Sequence, residues 1–169
     1  MILLLLIVSL NKMKNFLLIF ITAIACGSLA LNGEEAASPR SVFTAAQAEA
    51  GRTAYLSSCV KCHTEKLTGY DGAGEIPEAV KAFGGKIPPL AGTNAAFTPF
   101  ITKWGGQTTQ ALNERIKVAV SGFPPPNQRI DDDLFLNLTA YILQVNGAPP
   151  GAKALTTTTA VEIRSVTSR

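Results

Sequence analysis

Two cysteines and a histidine lie within five consecutive residues, Cys59-Val60-Lys61-Cys62-His63. Two thiols three positions apart can each add to one of the two vinyl groups at one edge of a porphyrin, and the adjacent imidazole can then bind the iron. This spacing is that of a c-type haem attachment site. We therefore expect one covalent haem c, attached through Cys59 and Cys62, with His63 as the iron ligand.

Other chemistry of paired cysteines fits this chain less well. Tetrahedral zinc takes four ligands, and outside the N-terminal segment that holds Cys26 the chain has no further cysteine or histidine. A thioredoxin-like redox pair opens a helix after a strand, whereas this pair closes a predicted helix. No catalytic triad, acid pair or nucleotide-binding loop accompanies the motif, which favours an electron carrier over an enzyme.

Residues 1–30 are predicted to be a secretory signal peptide. A lysine precedes an apolar run that begins at Phe16, and small residues follow, which is the order of such signals. Met13 is a better start than Met1, because the pattern that begins there is well formed. The expected location is therefore periplasmic. A retained membrane anchor and a lipid on Cys26 remain open as alternatives.

The charge of the chain disfavours one class of partner. The formal net charge is +3, and it falls to +1 when Lys12 and Lys14 leave with the signal. No basic run or stripe accompanies this small charge, and nucleic-acid binding depends on such a patch. Nucleic acid is therefore not an expected partner.

The rest of the sequence predicts one all-α domain. Residues 31–43 are small and polar, which is typical of a flexible leader. Several segments of residues 44–150 show helical periodicity, residues 64–92 are predicted to be mostly a wrapping loop, and no strand alternation is strong enough to predict a sheet. Residues 151–169 are low in complexity around a run of threonines, and they are predicted to be extended or disordered. The length is that of a single core.

Capping residues and helix breakers divide this domain into helices. Thr44 and Gln47 form a predicted capping box, and a helix runs from there into the cysteine pair. Three consecutive prolines exclude a helix over residues 122–127, which we call the strap. The predicted helices cover residues 45–59, residues 78–83, a short segment from Thr98-Pro99 to Trp104, a segment capped by Thr108 or Thr109, and a segment from Asp131–Asp133 to Val145.

Four segments of the chain occur in an order that is found in one family. They are Gly51-x3-Tyr55-x3-Cys59-x2-Cys62-His63, Pro88-Pro89-Leu90-Ala91-Gly92, Phe100-x3-Trp104 and Ala140-Tyr141-Ile142-Leu143-Gln144-Val145-Asn146-Gly147. With these segments the chain resembles class I c-type cytochromes over residues 48–155. It is especially similar to the cytochrome c subunits and domains that accept electrons from pyrroloquinoline-quinone alcohol dehydrogenases. The haem motif is highly specific, whereas the other segments are informative through their order.

The resemblance implies a cytochrome c-like fold, in which three to five helices wrap around one haem. The first and last helices of that fold cross next to the haem, which here pairs Gly51 with Tyr141. A glycine on an otherwise apolar helical face allows such a close approach.

The resemblance also implies roles for two residues outside the motif. A proline carbonyl, that of Pro88 or that of Pro89, would accept a hydrogen bond from His63 Nδ1 and orient the imidazole. Of the two, Pro89 is the predicted cofactor-binding residue. Trp104 would approach a haem propionate through its indole N–H. Core packing is the alternative role for this tryptophan.

The strap departs from the family pattern. Phe123 stands where the family has the methionine that binds the sixth position of the iron, and the methionines of this chain are Met1 and Met13. Phenylalanine has no lone pair, and His63 is the only histidine. We expect an open or weakly ligated iron with Phe123 as an apolar lid and a lowered reduction potential. Two alternatives for the sixth position are a ligand from outside the chain and a donor of the chain such as Tyr70, Lys86, Lys103 or Asn127.

The expected function is transfer of single electrons between a periplasmic dehydrogenase and an acceptor. The resemblance makes a quinoprotein dehydrogenase the expected partner. The alternative function is that of a ligand-binding or peroxide-reactive haem protein that uses the open sixth position. The chain offers no distal histidine to assist cleavage of an O–O bond, which favours electron transfer.

Overall fold

Residues 40–124 and 126–167 are described by the computed structural model of the chain. The predicted signal peptide, the start at Met13 and Cys26 lie outside these residues, as does most of the predicted leader. The described part is mostly helical with little strand, which confirms the all-α class. None of its helices has both the length and the apolar character needed to cross a bilayer.

Short helices separated by loops make up the described part of the chain. The elements in chain order are α1 (Ala45–Ala54), a π-helical turn (Tyr55–Cys59), α2 (Val60–His63), β1 (Tyr70–Asp71), α3 (Glu78–Lys81), β2 (Lys86–Ile87), α4 (Phe100–Trp104), α5 (Thr109–Gly122), α6 (Asp132–Val145) and a 3₁₀ turn (Ile163–Ser165).

The first helix begins where its capping residues predict. The Gln47 N–H donates to Thr44 Oγ1, and the Thr44 N–H donates to Gln47 Oε1, both at 3.2 Å, so the capping box is confirmed. The helical path continues through the π-helical turn and α2 to His63, beyond the predicted end. Within it, the Val60 N–H donates to the Tyr55 carbonyl, five residues earlier. The cysteine pair therefore lies inside one continuous helical path.

The first and last helices pack against each other at a glycine. Asp131 caps α6 by accepting a hydrogen bond of 3.0 Å from the Leu134 N–H. A Cβ atom on Gly51 would lie 1.9 Å from the Asn137 carbonyl oxygen and 2.9 Å from Tyr141 Cβ, so only glycine permits this approach. The predicted pairing of Gly51 with Tyr141 is confirmed.

A two-residue antiparallel ladder closes the loop that follows α2. Tyr70 pairs with Ile87, and Asp71 pairs with Lys86. No sheet was predicted, because two residues are too few to show alternation. Helix α3 lies between the two strands along the chain, where a short helical turn was predicted, and its Val80 side chain is fully buried.

Some predicted helix boundaries differ from the observed ones. Pro99, rather than Thr98, precedes α4, and no side chain caps this helix. Thr108 caps α5, since its Oγ1 accepts a hydrogen bond of 3.1 Å from the backbone. Helix α5 includes Gly122, the first residue of the predicted strap. A proline disfavours the helical conformation in the residue directly before it, which here is Phe123. Gly122 is not next to a proline, so the helix can continue through it.

Both predicted ends of the domain contribute to its core. Val42 and Phe43 belong to the predicted flexible leader, yet they are 6% and 0% exposed, so the packed domain starts earlier than predicted. In the predicted tail, Leu155 and Ile163 are buried, and the Gly151 N–H donates to the Phe43 carbonyl at 2.8 Å. Burial of these apolar side chains outweighs the flexibility that their small, polar neighbours suggest.

Candidate functional site

The motif residues lie at the end of the first helical path. Cys59 closes the π-helical turn, and Cys62 and His63 are the last residues of α2. Side chains three and four positions apart share one face of a helix, so both thiols and the imidazole point to the same side. Both cysteines are free thiols and partly buried. The structure thus brings these three predicted site residues together.

The thiol of Cys59 is not suited to redox catalysis. Burial, with a smaller electrostatic effect of Cys62, raises the pKa of Cys59 to about 11. Cysteines of disulfide oxidoreductases have lowered pKa values, because the thiolate is the species that reacts. A protonated, partly buried thiol therefore disfavours the thioredoxin-like alternative.

One ring nitrogen of His63 is held by a backbone carbonyl. His63 Nδ1 lies 3.1 Å from the Pro88 carbonyl oxygen, and because a carbonyl only accepts, Nδ1 carries the proton. Burial lowers the pKa of His63, and the hydrogen bond to Pro88 only partly counteracts this effect. The imidazole is therefore neutral at neutral pH, and its Nε2 lone pair is available to a metal.

The Pro88 carbonyl is fixed in place by the loop around it. The Leu67 carbonyl accepts hydrogen bonds from the Leu90 N–H at 2.8 Å and the Ala91 N–H at 3.1 Å. From the residue that follows α6, the Asn146 side chain donates to the Leu90 carbonyl at 2.8 Å. Pro89, the residue named from the sequence, is buried next to the carbonyl that bonds the imidazole. Of the two alternatives, Pro88 makes the contact, because its carbonyl faces His63.

Thr64, directly after the motif, has a strained backbone. Its φ of 64° and ψ of 164° lie in a region that is almost exclusive to glycine. Tertiary contacts hold it there: the Tyr55 hydroxyl donates to the Thr64 carbonyl at 2.5 Å, and Thr64 Oγ1 lies 3.1 Å from Thr68 Oγ1. The strain turns the chain away from the helix immediately after His63. Nothing in the residue type signals this turn, since threonine seldom adopts it.

Thr64→Gly is expected to be more stable than Thr64→Ala by about 1 kcal/mol. Glycine adopts this conformation without the strain of roughly 1–3 kcal/mol, and its greater freedom in the unfolded chain offsets part of the gain. Both variants lose the hydroxyl contact with Thr68, so that loss cancels in the comparison. Denaturant unfolding of the purified protein measures the difference, and equal stabilities would show that the backbone is unstrained.

Trp104 packs on the core with one edge open. Its ring lies at 26° to that of Phe100, with centroids 6.4 Å apart, and Phe100 is 1% exposed. Lys103 Nζ lies 5.9 Å from the centroid of the Trp104 ring. Among the described residues, none accepts a hydrogen bond from the indole N–H. The structure therefore agrees with packing, and it leaves the N–H available to a ligand.

Phe123 lies on the surface and contacts a second phenylalanine. Its side chain is 64% exposed, and its ring meets that of Phe83 edge to face at 5.4 Å between centroids. Directly after the strap, Gln128 Nε2 donates to Ser57 Oγ at 3.0 Å, which ties this part of the chain to the helix just before Cys59. Phe83 is not predictable from the sequence as a neighbour of Phe123, because the two residues lie far apart in the chain.

The four other candidate iron ligands lie in different surroundings. Tyr70 and Lys86 belong to the two strands of the ladder. Lys103 lies over Trp104, and Asn127 is exposed with a φ of 59°. Within the described ranges, none of these side chains makes a hydrogen bond, an ion pair or a ring contact with a residue of the motif.

The chemistry of the donor set fits a c-type haem. Two thiols on one helical face, followed by an imidazole with a free Nε2, are the groups that hold such a cofactor. Residues 40–124 and 126–167 contain no group of three or more His, Cys, Asp and Glu side chains that could hold a metal ion. Haem iron needs no such group, because the porphyrin supplies four nitrogens. Partly buried apolar side chains pack against the core, and they include Cys59, Val60, Leu90, Ile101 and Trp104.

Comparison with known proteins identifies no relative. The chain matches no family model, no curated protein and no solved structure.

Proposed function

We propose that this chain is an exported monohaem c-type cytochrome of class I, which carries single electrons between a periplasmic dehydrogenase and an acceptor. The observation that carries the proposal is the donor set of Cys59, Cys62 and His63 on one helical face. The bond from His63 Nδ1 to the Pro88 carbonyl supports it, because it leaves Nε2 as the only metal-binding nitrogen. A quinoprotein alcohol dehydrogenase is the proposed partner, on the basis of the sequence resemblance.

The arrangement of the helices supports a cytochrome c-like fold. The helical path that ends in the motif crosses the last helix at Gly51, where a Cβ would collide with Asn137. The Tyr55 and Tyr141 rings, one turn further along, lie 5.4 Å apart. This crossing puts the motif beside the main helix interface, as the proposed fold requires.

Each residue of the donor set has a distinct part in holding the cofactor. The thiols of Cys59 and Cys62 would each add across one vinyl group, with sulfur bonding to one carbon and the hydrogen going to the other. His63 would bind the iron through Nε2, and Pro88 would keep the imidazole in one orientation. Haem supplies the one-electron chemistry when bound.

Covalent haem attachment tests the proposal. Expression in a periplasm that is competent for cytochrome maturation is expected to yield protein whose mass includes one haem, which denaturation does not remove. The matched control is the double variant Cys59→Ala and Cys62→Ala, which is expected to lack the added mass. A wild-type protein that folds under these conditions without bound haem would refute the proposed function.

The replacement at the sixth position favours a second candidate, a haem protein that binds small ligands or reacts with peroxide. Phe123 cannot bind iron, and the chain has no methionine after Met13. The two candidates differ in their response to carbon monoxide, which binds rapidly to reduced iron only when no internal ligand must leave. The lack of a distal histidine favours electron transfer as the main function.

A further inference from the structure

A glycine in the loop after the motif lies against the carbonyl that holds the imidazole. Gly69 has a φ of 65°, and a Cβ on it would lie 2.9 Å from the Pro88 carbonyl oxygen and 2.1 Å from the Ile87 carbonyl oxygen. Both oxygens belong to the backbone, which cannot rotate out of the way as a side chain can. Only glycine therefore permits the loop to pack so closely on the segment that contains Pro88.

The same glycine is bonded to the backbone of the histidine. The Gly69 N–H donates to the His63 carbonyl at 3.1 Å. The imidazole of that histidine in turn places Nδ1 3.1 Å from the Pro88 carbonyl oxygen. Gly69 thus contacts both partners of the bond that orients the ring, since it bonds the backbone of the donor and adjoins the acceptor.

Contacts on both sides of Gly69 hold it in this position. Before it, the Asn94 side chain donates to the Thr68 carbonyl at 2.9 Å. After it, the chain enters β1, which pairs with β2. A Cβ could therefore not be accommodated by movement of Gly69 alone, and the Pro88 carbonyl would have to shift away from the imidazole.

We propose that Gly69 is a positioning residue for the iron ligand, because the absence of a side chain there lets the Pro88 carbonyl reach His63 Nδ1. The inference rests on the proposed function and deepens it, since it names a residue that sets how strongly His63 donates to the iron. A hydrogen bond from Nδ1 raises the basicity of the imidazole as a ligand. A more basic ligand stabilises oxidised iron and lowers the reduction potential.

Gly69→Ala tests the inference, with Gly74→Ala as the matched control. Gly74 has a φ of 75°, and a Cβ there would meet no atom within 4 Å, so both substitutions strain the backbone but only the first displaces a carbonyl. In haem-loaded protein, reduced and kept under carbon monoxide, Gly69→Ala is expected to exchange the His63 Nδ1 hydrogen several times faster than the wild type. Its reduction potential is expected to rise, whereas Gly74→Ala is expected to match the wild type in both measurements. His63 is the only histidine, so its ring signals in NMR spectra are unambiguous.

Equal exchange rates and potentials in Gly69→Ala and Gly74→Ala would refute the positioning role while the proposed function stands. If Gly69→Ala does not fold, Asn94→Ala decides the question, since it removes the bond to the carbonyl before Gly69 and leaves the glycine in place. This variant is expected to accelerate exchange of the Gly69 N–H and of the His63 Nδ1 hydrogen together. Any result other than faster exchange of both would refute the inference.

Haem attachment and the position of the imidazole proton are separate measurements. If the mass of the wild-type protein includes no haem, the proposed function fails, and nitrogen NMR spectra of the same protein still report which ring nitrogen of His63 carries the proton. A proton on Nδ1 in the wild type and in Gly74→Ala, but not in Gly69→Ala, would still assign to Gly69 the positioning of the imidazole. The same tautomer in all three proteins would refute that role.

Discussion

Gly51→Ala is expected to be less stable than the wild-type protein by about 3 kcal/mol, since forcing atoms into a packed core costs roughly 1–3 kcal/mol and occasionally more. The new Cβ would lie 1.9 Å from the Asn137 carbonyl oxygen, and backbone cannot rotate away as a side chain can. Relief of the collision requires α1 and α6 to separate. Denaturant unfolding measures the loss.

Gly122→Ala is the matched control for this substitution. Gly122 is also a helical glycine, but a Cβ there would meet no atom within 4 Å. This variant is expected to gain about 0.5–1 kcal/mol, because alanine loses less freedom than glycine on entering a helix. If Gly51→Ala were as stable as Gly122→Ala, the close crossing of the first and last helices would be refuted.

Phe123→Met is expected to convert the haem of the loaded protein to a low-spin, six-coordinate form with a higher reduction potential. On the proposed function, a thioether at this position would bind the iron, and methionine ligation raises the potential. The expected rise is on the order of 0.1 V, a fraction of the roughly 0.8 V range that axial ligands span. Absorption spectra and a redox titration measure both changes.

Phe123→Leu is the control for the loss of the aromatic ring. Leucine is apolar and offers no lone pair, so this variant is expected to keep the wild-type spectrum and rapid binding of carbon monoxide. Phe123→Met is expected to bind carbon monoxide more slowly, because the thioether must leave first. Identical spectra for both variants would mean that residue 123 does not reach the iron.

The helices were largely predictable, because local interactions define their ends. The side chains of Thr44, Thr108 and Asp131 each accept a hydrogen bond from a backbone N–H three residues later, and Gln47 returns such a bond to Thr44. A short stretch of sequence therefore contains the whole signal for each helix start. The predicted boundaries failed where distant contacts decided them. Phe43 is fully buried, and its carbonyl accepts a hydrogen bond from the Gly151 N–H near the other end of the domain, which its own neighbours in sequence do not reveal.

The motif was visible in the sequence, whereas its surroundings were not. Cys59, Cys62 and His63 are adjacent along the chain, and their helical spacing alone puts them on one face. The strained turn at Thr64 was not visible, since the contacts from Tyr55 and Thr68 hold a conformation that threonine seldom adopts.

The sequence by itself determined the three donors, Cys59, Cys62 and His63, and the helix that presents them, because residue type and short-range spacing are sufficient for both. Only the tertiary structure decided that Pro88 bonds His63, that Phe83 meets Phe123 and that Arg164 lies over Gly105. These pairs are distant in the chain, and packing of the whole core brings them together. Spacing along a sequence cannot report such contacts, since they form only when the loops between them close.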